Sequence, residues 1–230
     1  VNDLTVIREW TRAVGAWMIV DAVHYAPHFP MDVAALDPDF LLCSAYKFYG
    51  PHVGVLYSRP GLLDHIPTDR LRPQLAEAPY RIETGTLNFA ALAGVRAAVD
   101  YIASFGNGES LREQLTSGMA LIHDHEEDVA RYLYDRLSAL PQASVYGQPF
   151  GEGLRAPTVS FTVQDVHTAD VAKALGEQGL FVWGGHFYAM RVVETLGLED
   201  MGGLVRAGIS LYNTVEEIDR LIDCVEALKK

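Results

Sequence analysis

The stretch Asp39–Tyr57, DFLLCSAYKFYGPHVGVLY, is the part of the sequence that best indicates the fold of this chain. An apolar run from Phe40 to Cys43 ends at Ser44, and a single lysine, Lys47, follows between two aromatic residues. A Gly-Pro pair then breaks the chain before a second apolar run, Val53–Tyr57. This pattern predicts two strands joined by a tight turn that carries the lysine.

The sequence before this stretch has the same character. Ala16–Val20 (AWMIV) is a short continuous apolar run, which is typical of a buried strand in a parallel sheet. Asp32–Leu36 reads as a short helical connector to the next strand. Short buried strands that alternate with helices predict an α/β layered fold. Ligands gather at the carboxyl ends of the strands in such sheets, and four polar residues stand at or just past those ends: Asp21, His24, Ser44 and Lys47.

The rest of the chain predicts a second, smaller α/β domain, and we place the two domains at residues 1–118 and 119–230. Apolar spacing and capping residues predict helices over Asp3–Val14, from Asn88 through Ile102, over Ser110–Leu140, over Val166–Gln178 and after the capping box Thr214–Glu217. Further strands are predicted at Ser144–Gly147, Thr158–Val163, Leu180–Trp183 and Val205–Leu211, and a short extended piece at Tyr80–Thr86.

Composition restricts the classes of partner. The 230 residues carry a net charge of −12, with 49% hydrophobic and 21% charged residues and no Lys/Arg cluster. We therefore expect a packed core, and neither nucleic acid nor an anionic membrane as partner. Cys43 and Cys224 form no CxxC pair, which suits a reducing compartment, taken here as the cytoplasm. No apolar stretch approaches the ~20 residues needed to span a bilayer.

The first residues, VNDLTVIREW, lack the basic and apolar segments of a signal peptide. The chain also begins without Met, in what reads as the middle of a helix. We expect it to be part of a longer protein.

Lys47 and Asp21 are the strongest candidates for chemistry. A lysine at a strand end is ordinarily solvated, but aromatic and apolar neighbours favour a nucleophilic amine. Asp21 ends an otherwise apolar strand, where an unpaired buried carboxylate would be costly. A helix cap or an ion pair is the ordinary interpretation of such a residue. The functional interpretation is a carboxylate that keeps a heterocyclic ring nitrogen protonated.

A metal site is an alternative for the same region. Asp21, His24 and His28 have the spacing D-x2-H-x3-H, and a carboxylate with two imidazoles can bind Zn²⁺ or Fe²⁺. This spacing is not a strong metal signature, and Pro27 interrupts any helix that would align the two imidazoles. Histidines in a loop are more often structural.

Hydroxyl groups of Ser44, Tyr46 and Thr86 lie near predicted turns and strand ends. Hydroxyls and backbone amides at such places suit a phosphate group. Each of these residues is also an ordinary turn residue, so none is specific by itself.

Arg206 interrupts the apolar strand LVRAGISL. An inward-facing arginine needs an anion, and a carboxylate matches its fork with two parallel hydrogen bonds; a structural salt bridge is the alternative. The loop before it, Gly184–Ala189, offers His186 and Tyr188 for proton transfer, although a simple turn is the ordinary interpretation.

Together these pieces resemble the class V aminotransferase family, which uses pyridoxal 5'-phosphate (PLP) and has fold type I. The likeness is to its cysteine desulfurase-like branch. It implies a partial PLP-binding large domain, with a mixed or parallel sheet, followed by a small C-terminal α/β domain and lacking an N-terminal part. The motifs that carry it are VDAVHYAPH (Val20–His28), DFLLCSAYKFYGPHVGVLY (Asp39–Tyr57), ETGTLNFAALAG (Glu83–Gly94) and VRAGISLYNTVEEIDRL (Val205–Leu221).

The resemblance implies a set of cofactor contacts. Lys47 matches the Schiff-base lysine, and Asp21 matches the aspartate on the pyridine nitrogen. His24 stands where desulfurases commonly have a glutamine that bonds the phenolic oxygen of the ring. Ser44 matches a phosphate-binding serine, and Tyr46 replaces a phosphate-binding histidine. A further family residue, matched by Thr86, reaches the phosphate of the partner subunit, which implies a homodimer with shared active sites.

The resemblance also implies how an amino-acid substrate is bound. Arg206 matches the arginine that holds the α-carboxylate, and His186 and Tyr188 are candidates on the substrate side. Desulfurases accept sulfur on a cysteine in the loop before the arginine strand, and here that loop reads GGHFYAM. The expected activity is that of a PLP-dependent transferase or lyase; desulfuration, transamination, elimination and epimerisation stay open. The alternative is a non-catalytic, truncated PLP fold that serves as a dimerisation or binding module.

Overall fold

The computed structural model describes residues 1–228, and the described chain divides into two compact units. The N-terminal unit comprises residues 2–121, and the C-terminal unit comprises Val1 together with the chain from Ile122 onward. The division falls inside one long helix, Leu111–Ser138. Among the described helices none is long and apolar enough to cross a membrane.

The N-terminal unit contains a three-stranded mixed sheet. Its strands are β1 (Ile19–Asp21), β2 (Phe40–Ser44) and β3 (Gly54–Ser58). β1 runs parallel to β2, and β3 returns antiparallel beside β2. Its helices are α1 (Leu4–Ala13), α2 (Val33–Leu36), α3 (Phe89–Ala103) and the first part of α4 (Leu111–Ser138), and two short 3-10 helices lie at Ala45–Phe48 and Leu63–His65.

Side-chain caps explain where these helices begin. The Asp3 carboxylate accepts hydrogen bonds from two backbone amides of the first turn of α1. The Asn88 side chain does the same once for α3. The predicted cap at Asn88 is therefore confirmed. The buried face of α3 includes Ile102, whereas Leu92 at the start of the helix is exposed.

Two predictions in this unit are wrong. The run AWMIV is not a buried strand: β1 begins only at Ile19, lies at the edge of the described sheet, and leaves that isoleucine 62% exposed. Tyr80–Thr86 is a series of turns rather than an extended piece. The reason is local, since the Gln74 side-chain amide donates to the carbonyls of both Tyr80 and Glu83 and folds the segment back on itself.

The C-terminal unit is built on a four-stranded antiparallel sheet. Its strands are β4 (Ala143–Tyr146), β5 (Thr158–Val163), β6 (Trp183–Gly185) and β7 (Leu204–Gly208). The order across the sheet is β4-β5-β7-β6. The helices that accompany α4 are α5 (Thr168–Glu177), α6 (Met190–Leu196) and α7 (Val215–Ala227).

The core of this unit lies between one face of the sheet and three helices. Leu133 of α4, Phe161 of β5 and Ile222 of α7 are fully buried in one apolar cluster. α7 begins at the predicted capping box, in which Thr214 accepts from the amide of Glu217 and the Glu217 carboxylate accepts from the amide of Thr214. The buried residues of this helix are Ile218, Leu221, Ile222 and Val225.

The glycine pair before His186 was predicted as a loop, and this prediction is wrong. Gly184 and Gly185 belong to β6, which replaces the predicted strand Leu180–Trp183. A Cβ on Gly184 would lie 2.9 Å from the carbonyl oxygen of Thr168, so glycine lets the strand pass close to α5. The helix α6 had no counterpart in the sequence analysis.

Candidate active site

Three predicted site residues come together at one edge of the N-terminal sheet. β1 and β2 are parallel and paired, so their carboxyl ends meet at the same edge. Asp21, the last residue of β1, pairs with Leu42, and Ser44 lies two residues further along β2 on the same face. Lys47 follows directly in the 3-10 helix. An amine, a carboxylate and a hydroxyl therefore lie at this edge.

The backbone around Lys47 is closed by hydrogen bonds. The Ala45 amide donates to the Val53 carbonyl at 2.8 Å, and the Gly50 amide donates to the Ala45 carbonyl at 2.8 Å. A Cβ on Gly50 would lie only 3.0 Å from that carbonyl oxygen, so the turn favours glycine there. These bonds hold the lysine's backbone between the two antiparallel strands.

An aromatic pair lies on one side of the Lys47 amine. Its Nζ lies 5.8 Å from the ring centroid of Tyr46, and Tyr46 stacks on His52 with centroids 4.8 Å apart and ring planes 11° apart. Lys47 is half-buried and forms no ion pair with any carboxylate of residues 1–228. The amine is thus available to a ligand rather than committed to a structural salt bridge.

Asp21 differs from the sequence expectation of a buried carboxylate. It is exposed, and its Oδ1 accepts a hydrogen bond from the Val23 amide at 2.9 Å. Its second oxygen accepts no hydrogen bond from the described part of the chain. The desolvation cost expected for a buried carboxylate is therefore absent, and one oxygen can accept a proton donor from a ligand.

The two histidines of the metal alternative lie side by side. The ring centroids of His24 and His28 are 5.5 Å apart; His28 is buried and His24 is exposed. Within residues 1–228 no group of three or more His, Cys, Asp or Glu side chains is placed to hold a metal ion. The geometry gives the metal hypothesis no support.

The three residues predicted to bind phosphate lie in different local settings. Ser44 occupies the N-cap of the 3-10 helix, but its hydroxyl makes no capping hydrogen bond and is left for a ligand. Tyr46 is exposed beside Lys47. Thr86 is exposed in the turn that leads into α3.

The remaining predicted residues lie in the C-terminal unit, where Arg206 is central. It sits in β7 and pairs with Ser160 of β5 on one side and Trp183 of β6 on the other. Its guanidinium carbon lies 4.6 Å from the ring centroid of Phe187. The structural salt bridge that the sequence left open as an alternative is not formed with any described carboxylate. The guanidinium donors are therefore available to an anion.

The loop after β6 has an unusual backbone. Phe187 and Tyr188 both adopt left-handed conformations, with φ of 51° and 63°, which cost of order 1–3 kcal/mol each in a non-glycine residue. The loop is closed by the Tyr188 amide, which donates to Nδ1 of His186 at 3.1 Å, and by the Ala189 amide, which donates to the His186 carbonyl at 2.7 Å. Tyr188 is 95% exposed.

Sequence reasoning missed Phe187. The residue lies between His186 and Tyr188, both of which were considered for their polar groups, and an isolated phenylalanine carries no such signal. Arginine stacks on aromatic faces, but α6 separates Phe187 from Arg206 in the chain, so no local pattern indicates that the two side chains meet.

The N-terminal unit is thus a layered α/β fold with a lysine, a carboxylate and a hydroxyl near the carboxyl ends of β1 and β2. The family model described as "Aminotransferase class-V" matches residues 1–221. The chain belongs to this family.

The relatives are cysteine desulfurases. The chain is 30% identical to the cysteine desulfurase of Serratia proteamaculans over 243 residues, covering 100% of this chain and 55% of the relative. It is 33% identical to the probable cysteine desulfurase of Streptomyces coelicolor over 240 residues, covering 99% and 54%. The chain thus spans about half the length of the curated relatives it matches.

Solved structures show the same fold. The apo cysteine desulfurase from Thermococcus onnurineus superimposes with a TM-score of 0.79 at 30% identity, covering 94% of this chain and 53% of that one. The cysteine desulfurase CsdA from Escherichia coli gives a TM-score of 0.79 at 26% identity, covering 98% and 54%. The predicted fold, part of PLP fold type I, is confirmed.

The residues at the sheet edge fit the chemistry of PLP. An aldehyde needs an uncommitted amine, which Lys47 supplies. A protonated ring nitrogen needs an acceptor, and the second oxygen of Asp21 is open. A phosphate needs donors at a helix start, and the Ser44 hydroxyl stands there without an intrahelical partner.

Proposed function

We propose that this chain is part of a PLP-dependent transferase or lyase that acts on an amino acid. One observation carries the proposal: Asp21, Ser44 and Lys47 share the edge formed by the parallel strands β1 and β2. Membership of the class V aminotransferase family supports it. PLP, when bound, supplies an electron sink that stabilises negative charge at the substrate Cα.

The residues of the N-terminal unit hold the cofactor. Lys47 provides the amine for its aldehyde. Asp21 would accept a hydrogen bond from the protonated ring nitrogen and would keep that nitrogen charged. His24 contacts the phenolic oxygen of the ring, and Ser44 and Tyr46 donate to the phosphate.

A second set of roles concerns the substrate. Arg206 holds the α-carboxylate with its fork, which fixes the orientation of the bonds at Cα. Lys47 is the group that would accept the proton from the substrate Cα. His186 and Tyr188 contact the substrate side chain and influence which reaction follows.

The reaction differs from that of the relatives in one respect. Tyr188 or a neighbour takes the place at which desulfurases carry their sulfur-accepting cysteine, and neither cysteine of this chain lies in that loop. A persulfide cannot form on tyrosine. We therefore assign this chain no desulfuration through a persulfide on its own loop.

The assembly is part of the same proposal. Thr86 contacts the phosphate held by the partner subunit of a homodimer, which agrees with its exposure in the turn before α3. Cys43 and Cys224 are both free thiols, which supports a reducing compartment such as the cytoplasm.

Borohydride trapping tests the assignment of Lys47. The chain contains four lysines, Lys47, Lys173, Lys229 and Lys230, so the labelled position can be read without ambiguity. The chain is incubated with PLP, reduced and digested, and the pyridoxyl group is located by mass spectrometry. We expect the label on Lys47, its loss in Lys47→Ala, and full labelling in the control Lys173→Ala, which removes an exposed lysine of α5.

Two outcomes contradict the proposal. A pyridoxyl label on Lys173 at the same yield as on Lys47 would mean that PLP reacts only by exposure. Full imine absorbance in Lys47→Ala would place the imine on another amine.

A second candidate function is a non-catalytic dimerisation or binding module with a PLP-type fold. The observation that favours it is an apolar surface on the N-terminal sheet, where Ile19, Leu42 and Leu56 are exposed. Such a module needs no reactive lysine, so selective trapping on Lys47 distinguishes the two candidates.

A further inference from the structure

We propose that Phe187 is the positioning residue of Arg206: its ring holds the guanidinium in one plane so that the in-plane donors face an amino-acid carboxylate. The proposal rests on the function proposed above, in which Arg206 binds that group. Arg206 has no ion pair with any described carboxylate that could hold it in place. The contact that the structure gives its guanidinium is the Phe187 ring at 4.6 Å.

The geometry of stacking leaves the arginine free to bind an anion. A cation over an aromatic ring is attracted to the ring face. The five N–H donors of a guanidinium lie in its own plane, so in a parallel stack they point away from the ring face. A carboxylate can therefore take two of these donors while the ring covers one side of the cation. The ring also excludes water from that side, which strengthens a charged hydrogen bond.

Phe187 is itself held firmly. Its side chain is half-buried and packs against a small apolar cluster formed by Val193, Leu198 and Leu204. Its backbone is fixed in the left-handed conformation by the closed turn from His186 to Ala189. Close contact of Gly203 with the backbone of Gly185 fixes where this turn leaves the sheet, because a Cβ there would lie 2.3 Å from the Gly185 carbonyl oxygen. The strained turn thus serves to place one ring under one guanidinium.

The experiment reads the arginine side chains by NMR. The full chain is labelled with ¹⁵N-arginine, and the Arg206 Nε–H signal is assigned from its loss in Arg206→Lys. In the wild type we expect a ring-current displacement of this signal, and a further change when L-alanine is added as the carboxylate probe. Phe187→Leu should remove the ring-current displacement and raise the dissociation constant for L-alanine about three- to tenfold. Phe187→Tyr, which keeps the ring, should restore both.

A matched control comes from the same unit. The guanidinium carbon of Arg155 lies 4.1 Å from the ring centroid of Phe150. Phe150→Leu should displace the Arg155 signal and leave both the Arg206 signal and the affinity for L-alanine unchanged. The other arginine signals report whether each variant is folded. If Phe187→Leu does not fold, the wild-type spectrum still decides, because an Arg206 signal without a ring-current displacement overturns the positioning role.

The outcomes distinguish the positioning role of Phe187 from the carboxylate-binding role of Arg206. If L-alanine binds equally well to the wild type and to folded Phe187→Leu, the positioning role is overturned and the carboxylate role of Arg206 stands. If the wild-type Arg206 signal does not respond to L-alanine at all, the carboxylate role is overturned and the positioning role with it.

Discussion

Among single residues, Cys43 shows how strand position controls side-chain chemistry. It lies in the middle of β2 on the covered face of the sheet, next to the exposed Leu42. Burial raises the pKa of the Cys43 thiol, and partial burial raises that of Cys224 as well. Both thiols are free, so their reactivity is a direct measure of this environment.

We predict that Cys43 is alkylated slowly in the folded chain. A raised pKa leaves less thiolate at any given pH, so the reaction should reach its full rate only above the ordinary thiol pKa of 9.0. Iodoacetamide labelling followed by peptide mass spectrometry, compared at pH 8 and in urea, measures this. Equal rates for Cys43 in the folded and unfolded chain would contradict the prediction.

Strand positions can be predicted from the sequence for some candidate residues, but the surroundings of their side chains cannot. Lys47 and Asp21 could be located because strand ends are visible as the limits of apolar runs, and parallel strands bring their ends together. The exposure of Asp21 could not be foreseen, since it depends on what lies beside the end of β1. Phe187 could not be placed either, because its contact with Arg206 depends on a left-handed backbone that the sequence does not signal.

At the scale of elements, a polar network ties α4 to α7 at the edge of the core. The Tyr132 hydroxyl donates to the Asp219 carboxylate at 2.7 Å, and the Arg136 guanidinium donates to the same oxygen. The pKa of Asp219 is lowered, first by the hydrogen bond from Tyr132 and then by Arg136. The two helices are thereby joined by a charge that favours the folded state.

The network predicts a specific dependence of stability on pH. Because the folded-state pKa of Asp219 lies below its ordinary value of 3.8, its stabilisation is fully present above that value and is lost as pH falls through the folded pKa. In Asp219→Asn the free energy of unfolding should therefore fall less steeply below about pH 4. Urea titrations between about pH 5 and pH 2 measure this slope.

The control for this variant is Asp223→Asn, which neutralises an exposed carboxylate of the same helix outside the network. It should keep the wild-type slope. An unchanged slope in Asp219→Asn would mean that the network contributes nothing to acid stability.

Helices and strands were predicted best where the residues at their ends mark a clear boundary. The strand Phe40–Ser44 and the helix after Thr214 agree with the structure because an apolar pattern and a polar terminus coincide in each. The predicted position of β6 was wrong because a glycine pair usually indicates a turn. Gly184 and Gly185 instead belong to the strand, and Gly184 allows it to pack closely against α5. Such packing is set by distant residues and leaves no local mark.

For the whole molecule, the C-terminal unit has one well-defined core, and its centre lies on α4. Leu133 is fully buried in that core, whereas Leu121 on the same helix is 54% exposed. We predict that Leu133→Ala lowers the free energy of unfolding by about 2–5 kcal/mol. Leu121→Ala, the matched control, should change it by less than about 0.5 kcal/mol.

Urea unfolding measures these free energies, and hydrogen exchange shows where the effect falls. Protection should be lost first in β5 and β7, which face Leu133 in the shared core. A loss smaller than that of Leu121→Ala would show that the core tolerates the cavity.

The fold class could be predicted from the sequence, but the order of the strands across the C-terminal sheet could not. Alternating strand and helix patterns indicated two α/β regions, and both sheets are present. The position of β7 between β5 and β6 could not be predicted, because neighbours in a sheet need not be neighbours in the chain. That position is what sets Arg206 between Ser160 and Trp183.

The closed return between β2 and β3 has a consequence for protein engineering. Ser44 pairs with Gly54, and the Ala45 carbonyl accepts the Gly50 amide, so the length of the segment between the strands is set at both ends. A library that randomises side chains around Lys47 would change the reactivity of its amine while keeping the position of its backbone. A library that inserts or deletes a residue there would move the amine itself, so chemical diversity should be sought at constant length.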